Sequence, residues 1–279
     1  MILVTGATGT TGRELVGVLR AAGAPVRALV RDAARGRAEL GDGVDLAVGD
    51  FDDADSLRAA LDGVERVYVL TPPHPQQAEW ERAVVAAARA ADVRHVVKHS
   101  LLGAAEDAPM QAARHHRENE RELEASGLPF TILRPNFFHQ TFTGMVAGGS
   151  MFTAAGEGRV SVVDARDVAA AAAAVLTEDG HEGRMYVLTG PQALTFAEAA
   201  AAIADETGSP VQHVDVPAEQ LAAGMAQAGV PEWLAQDIAA LQTVYAGGSA
   251  DTVTDDLRTL TGRDPRPLRE FAREHRDRF

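Results

Sequence analysis

The sequence predicts an α/β protein: a Rossmann-type doubly wound parallel sheet with a smaller, mostly helical C-terminal substrate domain. Short β-branched runs alternate with helix-length stretches through the first half of the chain, the rhythm of βαβ units. A glycine-rich turn joins the first run to the first helix, where such units hold phosphate. The 279 residues fit one large domain or two unequal ones.

Ile2 to Val4 reads as the first strand. Arg13 to Ala22 is a helix with an apolar side at Leu15, Val16, Val18 and Leu19, stopped by Gly23. Strands follow at Val26–Val30, Asp45–Val48, Val67–Leu70, Val93–Lys98 and Phe130–Leu133. Helices are expected at Ala54–Leu61, Glu79–Ala91 and Ala112–Ser126. After Pro135 the rhythm changes. Asp167 is expected to cap a helix over Val168–Leu176, Met185–Leu188 reads as a strand, and the chain from Thr195 onward is mostly helical. These boundaries place a dinucleotide-binding domain at 1–135, with 160–190 returning to it, and a substrate domain at 136–159 and 191–279.

Composition narrows the function classes. Hydrophobic residues make up 46% and charged residues 24%, ordinary globular values. With no cysteine, there is no thiolate nucleophile or zinc–cysteine site, and a reducing cytoplasm fits. A net charge of −14 argues against nucleic-acid binding, which needs a basic surface. The longest apolar run, Val168–Leu176, is far short of the about 20 residues of a membrane span, so no membrane partner is expected. The four scattered histidines His95, His99, His115 and His116 do not suggest a metal site. Ser100 lacks the flanking glycines of a hydrolase nucleophile elbow.

The turn is Thr5-Gly6-Ala7-Thr8-Gly9-Thr10-Thr11-Gly12. Glycine lets backbone approach a pyrophosphate closely, and the helix that follows offers its amides and dipole to negative charge. Gly6, Thr8, Gly9, Thr10, Thr11 and Gly12 are therefore candidate cofactor ligands. At the end of the second strand, where an acid would bind an unphosphorylated ribose, stands Arg31. A guanidinium takes a 2′-phosphate bidentately, so NADPH is the expected cofactor and NADH the second choice.

With these features in view, the chain resembles the NmrA-like, atypical short-chain dehydrogenase/reductase family, in particular its quinone oxidoreductases and triphenylmethane-dye reductases. The similarity takes in GATGTTG at 6–12, ALVRD at 28–32, VGDFDD at 48–53, VVKHSLLGA at 96–104, SGLPFTILRPNFF at 126–138, VDARDVA at 163–169, VLTGPQALT at 187–195 and TGRDPRPLREF at 261–271. The resemblance implies that Asp50 and Phe51 flank the adenine. It implies that Leu70, Thr71 and Pro72 line the cofactor cleft, and that Ser100 lies near the nicotinamide. It places Asn136 and Phe138 where nicotinamide and substrate meet.

The family's common Tyr-x3-Lys pair is missing: none of Tyr68, Tyr186 and Tyr245 has a lysine four residues on. The corresponding helix carries His116 and Glu120 at i,i+4 instead, on one face. This is either a general acid oriented by a carboxylate or a pair on the helix surface. Phe137, Phe138, Phe142, Phe152, Met145 and Met151 suit either the walls of a flat apolar substrate pocket or an interdomain or dimer core; a homodimer is the assembly considered. Lys98, the only lysine, is expected to reach past the strand's end and receives no role. The expected function is NADPH-dependent hydride transfer to a quinone or other flat aromatic acceptor. The alternatives are a non-catalytic dinucleotide sensor and a tailoring reductase dedicated to one aromatic natural product.

Overall fold

The computed structural model describes all 279 residues. Through the first half, strands β1 (Ile2–Val4), β2 (Val26–Val30), β3 (Asp45–Val48), β4 (Arg66–Val69), β5 (His95–His99) and β6 (Phe130–Pro135) alternate with helices. These are α1 (Thr10–Ala21), α2 (Ala33–Leu40), α3 (Ala54–Ala60), α4 (Gln77–Ala90) and α5 (Gln111–Ala125). The strands pair in parallel, Ile2 lying beside Val26 on one side and Arg66 on the other. A later strand, β10 (Arg184–Leu188), completes a seven-stranded sheet of order β10-β6-β5-β4-β1-β2-β3. The order reverses between β1 and β4, the switch point outside which doubly wound sheets bind ligands.

The sheet forms because its strands can be buried on both faces, which suits near-continuous apolar runs. Leu3, Leu29, Val67, Val84, Val96 and Leu123 share one core. Strand β5 is the exception in chemistry though not in burial: His95, Lys98 and His99 are all buried with Val96 and Val97. Buried polar groups must find partners, and those of Lys98 shape the candidate site.

Helix α2 has no counterpart in the sequence expectation. Its AARGRAEL run has little apolar stripe and a glycine in its middle; what starts it is the Asp32 side chain, which accepts from Arg35 N at 2.8 Å, an N-cap.

By contact density the chain divides into two compact units. One holds 1–106, 115–134 and 168–186; the other holds 107–114, 135–167 and 187–279. The returning segment is therefore shorter than the 160–190 expected, and 107–114, including the first turn of α5, goes with the second unit. The second unit contains α6 (Phe142–Met145), β7 (Val146–Ala147), β8 (Ser150–Thr153), β9 (Arg159–Val160), the start of α7 (Ala165–Thr177), β11 (Leu194–Thr195), α8 (Phe196–Thr207) and β12 (Gln212–Asp215). Helices α9 (Ala218–Gln227), α10 (Glu232–Ala246), α11 (Asp256–Thr261) and α12 (Leu268–Glu274) complete it. Its strands form a three-stranded sheet β12-β8-β7 and a two-stranded β11-β9 pair, too short to be signalled by alternation.

The core of this unit is aromatic. Phe137 meets Phe142, Phe196 and Tyr245 edge to face at centroid distances of 5.3, 5.7 and 6.1 Å, the geometry that ring quadrupoles prefer. Phe142 and Met151 are fully buried there. The phenylalanine- and methionine-rich segment is thus mainly core rather than pocket wall; of its rings only Phe152 stands well exposed.

Helix α7 begins before Asp167, and Asp164 makes the capping contact, accepting from Arg166 N at 2.8 Å. The buried Asp164 carboxylate also takes a guanidinium fork from Arg166 and an N–H from Gln140 at 2.9 Å. His139 Nδ1 lies 3.7 Å away. Asp167, three residues on, instead ion-pairs with Arg266, which is how VDARDVA and TGRDPRPLREF come to be bound to each other. Burial alone would raise the Asp164 pKa, but the contacts from His139, Arg166 and Gln140 outweigh it and hold the carboxyl far below the usual range. A depressed folded-state pKa stabilises above the unfolded value and is lost as pH falls below it. Thermal unfolding should therefore show Tm falling below about pH 4, and Asp164→Asn should flatten that limb. At neutral pH the same substitution should cost about 3 kcal/mol in urea unfolding.

Candidate active site

Helix α1, like α4, opens without a side-chain cap. Its N-cap is Gly9, which has no side chain to accept an amide, and its first turn carries no acid. By contrast α2, α3 and α8 are capped by the side chains of Asp32, Asp53 and Thr195. The amides of Thr10, Thr11 and Gly12 thus open α1 without a side-chain acceptor, which is the requirement for anion binding. The loop before them is tightly folded: Gly9 N donates to the Gly6 carbonyl at 3.0 Å, and Gly6 has φ +59°. A Cβ on Gly12 would stand 2.2 Å from the Gly6 carbonyl oxygen, and one on Gly6 would stand 2.7 Å from the Leu70 carbonyl oxygen. The glycines permit the loop to close on itself and on the end of β4.

Around this loop lie the other expected cofactor residues of the first unit. Arg31, at the end of β2, is exposed, and its guanidinium makes no ion pair or hydrogen bond. It is free to meet a phosphate. At the end of β3, Asp50 accepts from Asp52 N at 3.2 Å and its own N–H donates to Ser56 Oγ at 3.1 Å. Phe51 stacks on Trp80 at 5.6 Å, and Trp80 stacks on His74 at 4.1 Å, with the indole N–H donated to Asp52 at 2.8 Å. The sequence reading overlooked Trp80 and His74; a tryptophan opening the helix after β4 was the available signal. Leu70 and Thr71 follow β4, and Thr5 Oγ1 bonds both the carbonyl and the N–H of Leu70 at 2.8 Å. Pro72 is exposed beside them.

Behind Thr71 lies a buried polar network. Thr71 Oγ1 donates to Glu81 Oε1 at 2.6 Å. Glu81 Oε2 accepts from Asn119 at 3.0 Å and from the Lys98 ammonium. Lys98 donates in turn to His116 Nδ1 at 3.0 Å and to the His99 carbonyl at 3.1 Å. The Gln77 amide stands 3.2 Å from His116 Nε2 and 3.4 Å from Glu81. Lys98 does not reach past the end of its strand but turns inward, with its side chain 2% exposed.

Two expectations change here. The carboxylate beside His116 is Glu81, reached through Lys98, and not Glu120. Glu120 accepts from Ser100 Oγ at 2.6 Å, from Arg134 Nε at 2.8 Å and from Arg117 at 2.9 Å. Nor is His116 a surface group near its ordinary pKa. Burial, and then the charge of Lys98, push it well below that value, so the ring is neutral at pH 7. An ammonium can only donate, so Nδ1 accepts from Lys98, and Nε2 faces the Gln77 amide group. Both nitrogens are engaged inside the first unit.

Asn136, in the second unit, is also committed. Its amide N–H groups go to Ser161 Oγ at 2.8 Å and the Ala250 carbonyl at 2.9 Å, and its oxygen accepts from Phe137 N at 2.9 Å. It ties the exit of β6 to two other segments, and both of its side-chain N–H groups are taken by protein acceptors. Phe138 is half-buried, and its backbone forms an isolated parallel bridge with Val163.

A parallel sheet with an uncapped, glycine-cradled helix at its switch point defines a dinucleotide-binding protein. The NmrA-like family model matches residues 1–272, and the chain belongs to that family. It is 42% identical to an NAD(P)H azoreductase of Xenophilus azovorans over 100% of this chain and 99% of that one. It is 38% identical to a (4-alkanoyl-5-oxo-2,5-dihydrofuran-3-yl)methyl phosphate reductase of Streptomyces griseus, with 100% and 99% covered. Among solved structures it is similar to the NADPH-dependent quinone oxidoreductase of Escherichia coli complexed with NADPH, with a TM-score of 0.89, 31% identity and coverage of 98% and 99%.

The closeness of Gly12 to Gly6 gives a direct test. Gly12→Ala presses a methyl group onto backbone that has no room to yield. It should lower stability by about 2 kcal/mol and weaken NADPH binding more than about tenfold, read by urea unfolding and calorimetry.

Proposed function

We propose that this protein is an NADPH-dependent reductase that delivers hydride to quinone- or azo-type aromatic acceptors. The observation that carries the reading is the open amino end of α1 beside an unpaired Arg31. Amides and dipole suit the pyrophosphate, and a free guanidinium suits the 2′-phosphate. When bound, NADPH supplies the hydride. The chain's own part is to fix the dinucleotide through Gly6, Thr8, Gly9, Thr10, Thr11 and Gly12, with Arg31, Asp50 and Phe51 at the adenosine end. Leu70, Thr71, Pro72 and Ser100 are the proposed contacts toward its other end, and Phe138 is the proposed apolar contact for the acceptor.

The acceptors named for the relatives share one chemistry. A quinone, an azo bond and an unsaturated oxo-dihydrofuran are each electron-poor and conjugated to a heteroatom. Hydride addition leaves negative charge on that heteroatom, where solvent can protonate it. Such substrates do not need the tyrosine acid this chain lacks, and a neutral, engaged His116 agrees with that. His116 is accordingly proposed as part of the framework behind Thr71. The Streptomyces relative favours a second reading, a tailoring reductase with one dedicated substrate. A cytoplasmic location is proposed from the absence of cysteine and from the acceptor class; no helix is long and apolar enough to cross a membrane.

NADPH oxidation should be followed with a panel of quinones, azo dyes and triphenylmethane dyes. Saturable turnover is the expected result. Tight NADPH binding with no turnover on any acceptor would displace the broad reading in favour of a dedicated enzyme or a sensor. Arg31→Asp should reverse the NADPH-over-NADH preference, and an unchanged ratio of kcat/KM would remove Arg31 from the cofactor site. His116→Gln should lower kcat by less than about tenfold, against the 10²–10⁴ loss of a general acid.

A further inference from the structure

The Lys98–Glu81 pair is more than the fold requires, since a well-packed apolar pair of similar volume is often as stable as a buried ion pair. What the pair secures is the turn between β4 and α4. From Leu70 to Gln76 no backbone N–H is paired with a backbone carbonyl, and Pro72, Pro73 and Pro75 have none to give. Side chains do that work instead: His74 Nδ1 accepts from Gln76 N at 3.1 Å, and two more fix the start of the turn. Thr5 clamps Leu70 from the β1 side, and Glu81 clamps Thr71 from the α4 side. Between them they hold the strip of backbone against which Gly6 closes.

We propose that Lys98 is a positioning residue for the dinucleotide: by anchoring Glu81 it holds Thr71, and with it the β4–α4 turn, against the glycine loop. The inference rests on the glycine loop being the nucleotide site. Thr71, Lys98 and Asn119 all donate to Glu81, so both oxygens of the carboxylate are occupied as acceptors. The other polar and charged groups facing this pair are His99 on β5, Gln77 on α4 and His116 on α5, with His115 and Arg134 acting on His116 from further off. None of them supplies a second positive charge in contact with Glu81. Without Lys98 the buried carboxylate loses its one cationic partner, and its hold on Thr71 loosens.

The test compares wild type with Lys98→Met, Thr71→Val and the isosteric neutral pair Glu81→Gln/Lys98→Met. Two readouts are taken: NADPH affinity by calorimetry, and amide hydrogen exchange of the 69–77 segment without cofactor. Lys98→Met should weaken NADPH binding about tenfold. It should also speed exchange in the turn. Glu81→Gln/Lys98→Met keeps an oxygen for Thr71, so it should return most of the affinity and the slow turn exchange. Thr71→Val should loosen the turn and weaken binding, and the neutral pair should not rescue it. A folded Lys98→Met protein with turn exchange and affinity within about twofold of wild type would overturn the proposal. If Lys98→Met does not fold, the other two variants decide: a Thr71→Val protein with wild-type exchange overturns it, and the rescue pattern of the neutral pair supports it. Failure of the wild type itself to bind NADPH would refute the nucleotide-site reading, whereas the exchange comparison would still judge what Lys98 does.

Discussion

One carboxylate kept from water organises the first unit. Glu81 draws Thr71 from the end of β4, Lys98 from β5 and Asn119 from α5 onto its two oxygens. Each of these contacts is stronger for the absence of solvent, and each would be costly to leave unmade. That is why a strand in the middle of a parallel sheet can carry three polar residues. His95 and Thr131 meet at 2.9 Å, Tyr68 and His99 at 2.6 Å, and Lys98 finds Glu81. The interior of this sheet is therefore apolar in its helices' contact surfaces but specified by charge along β5, so the placement of neighbouring strand ends depends on matched donors and acceptors.

The alternation of strands and helices was legible in the sequence because burial on both faces leaves continuous apolar runs, and so was the glycine loop, whose residues follow from backbone sterics. Helix α2 was not, since its start depends on the Asp32 cap rather than on an apolar stripe. The candidate site was half legible. Arg31 is defined by its position after a strand. The network behind Thr71 joins residues 71, 77, 81, 98, 116 and 119, and no local spacing announces that Glu81 rather than Glu120 answers to His116. Lys98 was misjudged for a physical reason: a lone lysine is usually placed in water, and only a partner 17 residues away in sequence makes its burial tolerable. Phenylalanines 137 and 142 were ambiguous between pocket and core because both uses demand the same apolar rings.

The chemistry of the site follows from what is engaged and what is left open. Ser100, His116 and Glu120 all spend their hydrogen-bonding groups on the protein itself. The groups left open, the first amides of α1 and the guanidinium of Arg31, are suited to anions. Under the proposed function, such a site aligns a donor by its phosphates and leaves proton chemistry to the acceptor and solvent, which fits substrates whose reduction needs no acid.

The stack of Phe51, Trp80 and His74 carries an optical consequence. The chain has two tryptophans, and Trp80 alone is sandwiched between two rings with its indole N–H bonded to Asp52. Its emission is therefore tied to the geometry of the loops that end β3 and β4. With Trp233 replaced by phenylalanine, the remaining fluorescence becomes a local gauge of that rim, able to time its rearrangements on a scale that steady-state turnover averages away.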